Sequence, residues 1–74
     1  MRRLPSLPAR RVARALEKLG FEPMRTHGSH LIMRRREPYG RVTVPLHDTV
    51  ALGTLKAILR EGGVTEAEFL EALA

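Results

Sequence analysis

His27-Gly28-Ser29-His30-Leu31-Ile32-Met33-Arg34-Arg35-Arg36-Glu37-Pro38-Tyr39-Gly40-Arg41-Val42-Thr43-Val44-Pro45 is the stretch that decides the fold. His27-Gly28-Ser29 reads as a turn. Residues 30–36 have the residue types and alternation of a strand, with Leu31 and Met33 on one face and His30, Ile32 and Arg34 on the other. Glu37-Pro38-Tyr39-Gly40 reads as a hairpin connection. Arg41-Val42-Thr43-Val44-Pro45 then alternates strictly, Val42 and Val44 pointing inward and Arg41 and Thr43 outward.

Upstream, the period is helical. Val12, Ala15, Leu16 and Leu19 recur on one face, while Arg10, Arg11, Arg14 and Lys18 fall elsewhere, which predicts a helix over about residues 8–19. Ser6 is a candidate cap, Pro8 suits the first turn, and Gly20 supplies the left-handed stop with Phe21 packing back. Residues 21–26 read as a short strand, and Pro23 places it at an edge. Downstream, Leu52, Leu55, Ile58 and Leu59 form a second helical stripe closed by Gly62-Gly63. Thr65 and Glu68 have capping-box spacing before Phe69, Leu70 and Leu73, a short third helix.

The expected architecture is therefore α+β, in the order α-β-β-β-α with a short extra C-terminal helix. Its three-stranded antiparallel sheet has helices on one face, because Leu31, Met33, Val42 and Val44 need a lid. The whole of residues 1–74 is expected to form one domain, since 74 residues leave no room for a second core. With three aromatics and no cysteine, the core is aliphatic and has no disulfide or thiolate staple. No apolar run is long enough to cross a bilayer and residues 1–5 carry no signal-type stretch, so a soluble, cytoplasmic protein is expected.

Net charge is +5, and it is unevenly placed. Residues 1–41 hold eleven Lys or Arg against three Glu, whereas residues 42–74 hold two against five acids. A positive front half fits a nucleic-acid partner, or a solvated arginine-rich surface. The uncovered sheet face should carry His30, Arg34 and Arg41, with Arg35 and Arg36 at the strand end and Arg25 on the neighbouring strand. Arg34 is the best functional candidate of the run 34–36, one member of which could instead cover the sheet edge with its stem. The amides around Gly28 and Ser29 are candidate anion donors, because no side chain at Gly28 blocks approach.

Phosphate is the natural guest of such a face. RNA cleavage there needs a base for the 2′-hydroxyl, a proton donor for the leaving oxygen and cations for the developing charge, and imidazole serves either proton role near neutrality. His30 reads as that group, or as a turn histidine that orders the loop. His47, at the exit of the third strand, reads as a loop anchor, a phosphate contact or a second acid/base group; His27 reads as exposed and incidental. The histidine spacings match no common metal site and no cofactor is implied. Gly53-Thr54-Leu55 reads as helix-starting geometry alone.

The ordered set Leu16-Glu17-Lys18-Leu19-Gly20-Phe21, Arg25, Gly28-Ser29-His30, Val42-Thr43-Val44-Pro45-Leu46-His47, Gly53-Thr54-Leu55-Lys56-Ala57-Ile58-Leu59-Arg60 and Glu68-Phe69-Leu70 resembles the HicA (YcfA-like) toxins of bacterial toxin–antitoxin modules. That resemblance implies a fold like the double-stranded RNA-binding domain, an mRNA interferase activity and inhibition by a cognate HicB antitoxin. It also implies that His30 is the active-site residue. Members often have glutamine soon after the arginine matching Arg25, where this chain has Thr26 and His27.

Two further function classes stand beside the ribonuclease. One is a binding module that holds structured RNA or DNA without chemistry. The other is an interaction protein whose basic face docks an acidic partner. The RNA-contacting set expected for the ribonuclease and for the binding module is Arg25, Gly28, Ser29, Arg34, Arg36, Arg41 and His47, and scarce aromatics argue against base stacking as the main binding mode.

Overall fold

The computed structural model describes residues 3–74; Met1 and Arg2, part of the cationic lead-in, lie outside the described residues. The elements run α1 (Ala9–Lys18), β1 (Glu22–His27), β2 (His30–Arg36), β3 (Tyr39–Pro45), α2 (Leu52–Gly62) and α3 (Glu66–Leu73). The sheet is an antiparallel meander in the order β1-β2-β3, and the arrangement matches the expected double-stranded RNA-binding-domain-like α+β fold.

Alternation is what seats the sheet. Met33, Val42 and Val44 are fully buried under the helices, and Leu31 is half-buried beside them. From the helix side, Val12, Ala15, Leu16, Leu55, Ile58, Leu59 and Phe69 meet them, joined by Phe21. β1 contributes nothing to this core, being exposed along its whole length. It is an edge strand, as Pro23 required, and its register slips between Pro23 and Arg25 so that Met24 is the extra residue.

The helix ends show local and long-range control side by side. α1 stops in a Schellman arrangement: Gly20 takes φ 100°, its amide donates to Glu17 O at 3.0 Å, and the Phe21 amide donates to Leu16 O at 3.0 Å. The capping box of α3 forms as read, with Glu68 N donating to Thr65 Oγ1 at 3.1 Å and Thr65 N to Glu68 Oε1 at 2.8 Å. Ser6, in contrast, does not cap α1. The residue before the helix is Pro8, without a side-chain cap, because the preceding segment is drawn into an extended bridge in which Val50 N donates to Leu7 O at 2.6 Å. The first helical amide, Ala9 N, donates instead to His47 O at 3.1 Å.

Two boundaries at the turns differ from the sequence reading. His27 is the last residue of β1 rather than part of the turn, and Tyr39 is the first of β3 rather than part of the connection. Leu52 sits at the start of α2 and is 41% exposed, outside the core. Gly62 and Gly63 have separate reasons to be glycine. Gly63 is the left-handed cap at φ 68°, whereas Gly62 is where α2 presses on the sheet: a Cβ there would meet Val42 Cγ1 at 2.8 Å.

Candidate nucleic-acid interface

The uncovered face is assembled by register. Opposite pairs point the same way, so His27 and His30, Arg25 and Ile32, Ile32 and Thr43, Arg34 and Arg41, and Arg36 and Tyr39 all share it. Its charges are Arg25, Arg34, Arg36 and Arg41 against Glu22, which pairs with Arg34. His30 is exposed, on the central strand, and held by ladders on both sides.

The face has two poles. At one end a two-residue loop, Gly28-Ser29, joins His27 to His30; Gly28 has φ 60° and Ser29 does not have positive φ, the pattern of a type II′ turn. Among the described residues neither loop amide donates to another backbone carbonyl, so both remain available to an anion. Leu46 N donates to Ser29 O at 2.7 Å, which pins the turn to the segment leaving β3 and brings exposed His47 alongside.

At the other end are Arg34, Arg36 and Arg41. Arg34 lies four residues along β2 from His30, roughly 13 Å at a rise of about 3.3 Å per residue. The sheet therefore presents its imidazoles and most of its guanidiniums to one side but not to one point. Arg25 is the exception, one same-face step from His27 on β1. A depression of about 330 Å³ marks the arginine pole, lined by Met24, Arg25, Ile32, Arg34, Tyr39 and Arg41. Within it Arg34 is half-buried, and its Nε is shielded from solvent without a hydrogen-bond partner.

Tyr39 belongs to this face although residues 37–40 read as a hairpin connection. In the structure it is 69% exposed on the same face as Arg41, a flat ring beside guanidinium groups. The signal in the sequence was the alternation Tyr39, Arg41, Thr43, which extends the β3 pattern two residues towards the turn.

Arg35 points the other way. It donates from Nε to Pro38 O at 2.9 Å, from Nη1 to Leu19 O at 3.1 Å and from Nη2 to Gly62 O at 3.3 Å, with its guanidinium 4.6 Å above the Phe21 ring. Alternation thus splits the run 34–36 into a half-buried face residue, a structural clamp and an exposed face residue. A second cationic cleft, of about 430 Å³, lies on the helix layer between α1 and α3 and is lined by Arg10, Arg11, Arg14 and Lys18; it contains no histidine.

Among the described residues, no three His, Cys, Asp or Glu side chains gather into a metal-sized cluster, and no helix is long and apolar enough to cross a membrane. Gly53 and Thr54 lie within the first turn of α2, as helix-starting residues. The family model described as HicA toxin of bacterial toxin-antitoxin matches residues 9–64, from the first residue of α1 through the sheet to just past α2. No curated protein matches the chain.

Proposed function

This chain belongs to the HicA toxin family, and from that premise we propose that it is a metal-independent endoribonuclease acting on mRNA, with His30 as an acid/base group. The observation that carries the reading is the exposed imidazole of His30 on the central strand, beside two free backbone amides and on the same face as Arg25, Arg34, Arg36 and Arg41. A toxin of a toxin–antitoxin module needs an accessible working surface that a partner can cover, and the open sheet is such a surface.

A single RNA strand lying along β2 fits both poles. Its scissile phosphate sits at the turn, where Arg25 and the amides of Gly28 and Ser29 take the non-bridging oxygens. Cationic and backbone donors aimed at developing phosphoryl charge accelerate the step because they need no reorganisation as it forms. Neighbouring phosphates reach Arg34, Arg41 and Arg36, and His47 borders the strand beyond the turn. Guanidinium suits this role because its planar fork pairs two phosphate oxygens. A HicB-type antitoxin would inhibit by covering His30 and setting carboxylates against the arginines.

The test is incubation of the purified protein with end-labelled RNA in excess chelator. Cleavage by the wild type and a loss of about 10²–10⁴-fold in kcat for a folded His30→Ala variant are expected. Undiminished cleavage by that variant would overturn the assignment, and retention of RNA without products would identify a non-catalytic binding module. Arg34→Ala should weaken binding and flatten the log–log salt slope by about 0.7.

A further inference from the structure

We infer that His27 is a second catalytic residue, and that His27 and His30 form an acid/base pair straddling one phosphate. This rests on the ribonuclease reading above and supplies what that reading lacks. Cleavage by 2′-hydroxyl attack moves two protons, one off the nucleophile and one onto the leaving group, and His30 alone is one group.

The register provides the other. His27 and His30 are direct partners across a two-residue loop, and both are exposed. Direct partners project to the same side with Cβ atoms about 4.5–5.5 Å apart. In an in-line displacement the attacking and leaving oxygens lie on opposite sides of phosphorus. Two rings springing from adjacent points of a sheet, with a phosphate between their tips, meet that requirement.

Structure offers His27 no competing task. β1 buries nothing, His27 packs against no core, and it makes no side-chain hydrogen bond among the described residues. A pair of imidazoles closing a hairpin is also a poor choice for stability, since opposed like charges repel whenever both are protonated. The nearest charged group on this face is Arg25, one same-face step from His27 on β1, while Glu22 and Arg34 stand opposite each other further along the sheet. The hairpin end is nonetheless firm, because the His30–Pro45 pairing and the Leu46 N to Ser29 O bond tie it to β3. Acid/base catalysis needs that rigidity, as a misplaced donor loses most of its effect.

The step balances as follows. One neutral imidazole of the pair takes the 2′-hydroxyl proton while that oxygen forms a bond to phosphorus. The P–O5′ bond breaks, and the other ring, entering as imidazolium, gives its proton to O5′. The products are a 2′,3′-cyclic phosphate and a 5′-hydroxyl. The two rings have exchanged protonation states, and exchange with water restores them.

Paired substrates test the proposal: a short RNA with an ordinary 5′-oxygen leaving group, and the same RNA with sulfur bridging at that position. Sulfur departs as thiolate and needs no proton. On the oxygen substrate, His27→Ala and His30→Ala are each expected to lower kcat about 10²–10⁴-fold with KM within threefold. His27→Gln, which keeps bulk at the turn, should behave like His27→Ala. On the sulfur substrate one of the two alanine variants, and only one, should recover to within tenfold of wild type, which identifies the acid.

Full activity of His27→Ala beside a slow His30→Ala overturns the pair and leaves the ribonuclease reading intact. The pair is also overturned if sulfur rescues neither variant or both, or rescues His47→Ala instead. A wild type that cleaves neither substrate overturns the ribonuclease reading and the pair with it.

Discussion

Replacing Arg35 with alanine removes a guanidinium that closes two helices at once. Leu19 O is at the C-terminal end of α1 and Gly62 O at that of α2, where carbonyls lack helical partners and the macrodipole is negative. A cation at such an end contributes about 0.3–1 kcal/mol per helix. Its seat over Phe21 adds about 0.5–1 kcal/mol, and the fork into three carbonyls adds on the order of 1–2 kcal/mol after allowance for its partial exposure. These overlap, and a loss of about 3 kcal/mol is the expected total. Against a whole stability of roughly 4–11 kcal/mol for a chain this size, the loss is severe. At about 4–8 °C per kcal/mol, the midpoint should fall by more than 10 °C.

The assay is urea and thermal unfolding followed by circular dichroism, with Arg36→Ala alongside. Arg36 is exposed and makes no side-chain hydrogen bond among the described residues, so its loss should change stability by less than about 0.5 kcal/mol while weakening RNA binding. Arg35→Lys should fall between, since an ammonium keeps the charge but not the planar fork. Unfolding of Arg35→Ala within about 0.5 kcal/mol of wild type would refute the clamp.

Three more outcomes follow from particular contacts. Tyr39→Ala should weaken RNA binding by about 1–3 kcal/mol through loss of a stacking surface, and Tyr39→Phe should bind nearly as wild type; filter binding separates them. Gly40→Ala should destabilise by on the order of 1–3 kcal/mol in denaturant melts, because its Cβ would stand 2.6 Å from Gly62 O, a backbone atom that cannot turn aside. The Glu68 carboxyl is held below its ordinary value of 4.5 by the backbone hydrogen bond at Thr65 and then by the Thr65 side chain. Its folded value is depressed, so its share of stability is present above that ordinary value and disappears as pH falls through the folded one. Acid titration of unfolding should show this loss in the wild type and not in Glu68→Gln.

The fold was legible where structure is local. Alternation over 41–45 and 30–36, the helical period of 9–18, the Gly20 stop and the Thr65–Glu68 box each depend on residues a few positions apart, and each forms as the sequence implies. The same alternation placed His30 and Arg34 on the uncovered face. At the start of α1 a distant segment intervenes. Ser6 lost its capping role because residue 50 pairs with Leu7, and Pro8 precedes a helix whose first amide is satisfied by His47. Tyr39 and His27 read as turn residues because propensity marks the middle of a connection better than its edges.

Local chemistry in the chain established that there would be a sheet with one cationic face and a histidine beside a glycine turn. Tertiary structure alone decided which residues stand across from which. It sent Arg35 to carbonyls 16 and 27 residues away while its neighbours face outward, and set Arg34 opposite Arg41 at the far end of the sheet from His30. Register and helix docking arise from burial summed over the whole core, and no window of neighbouring residues contains that sum.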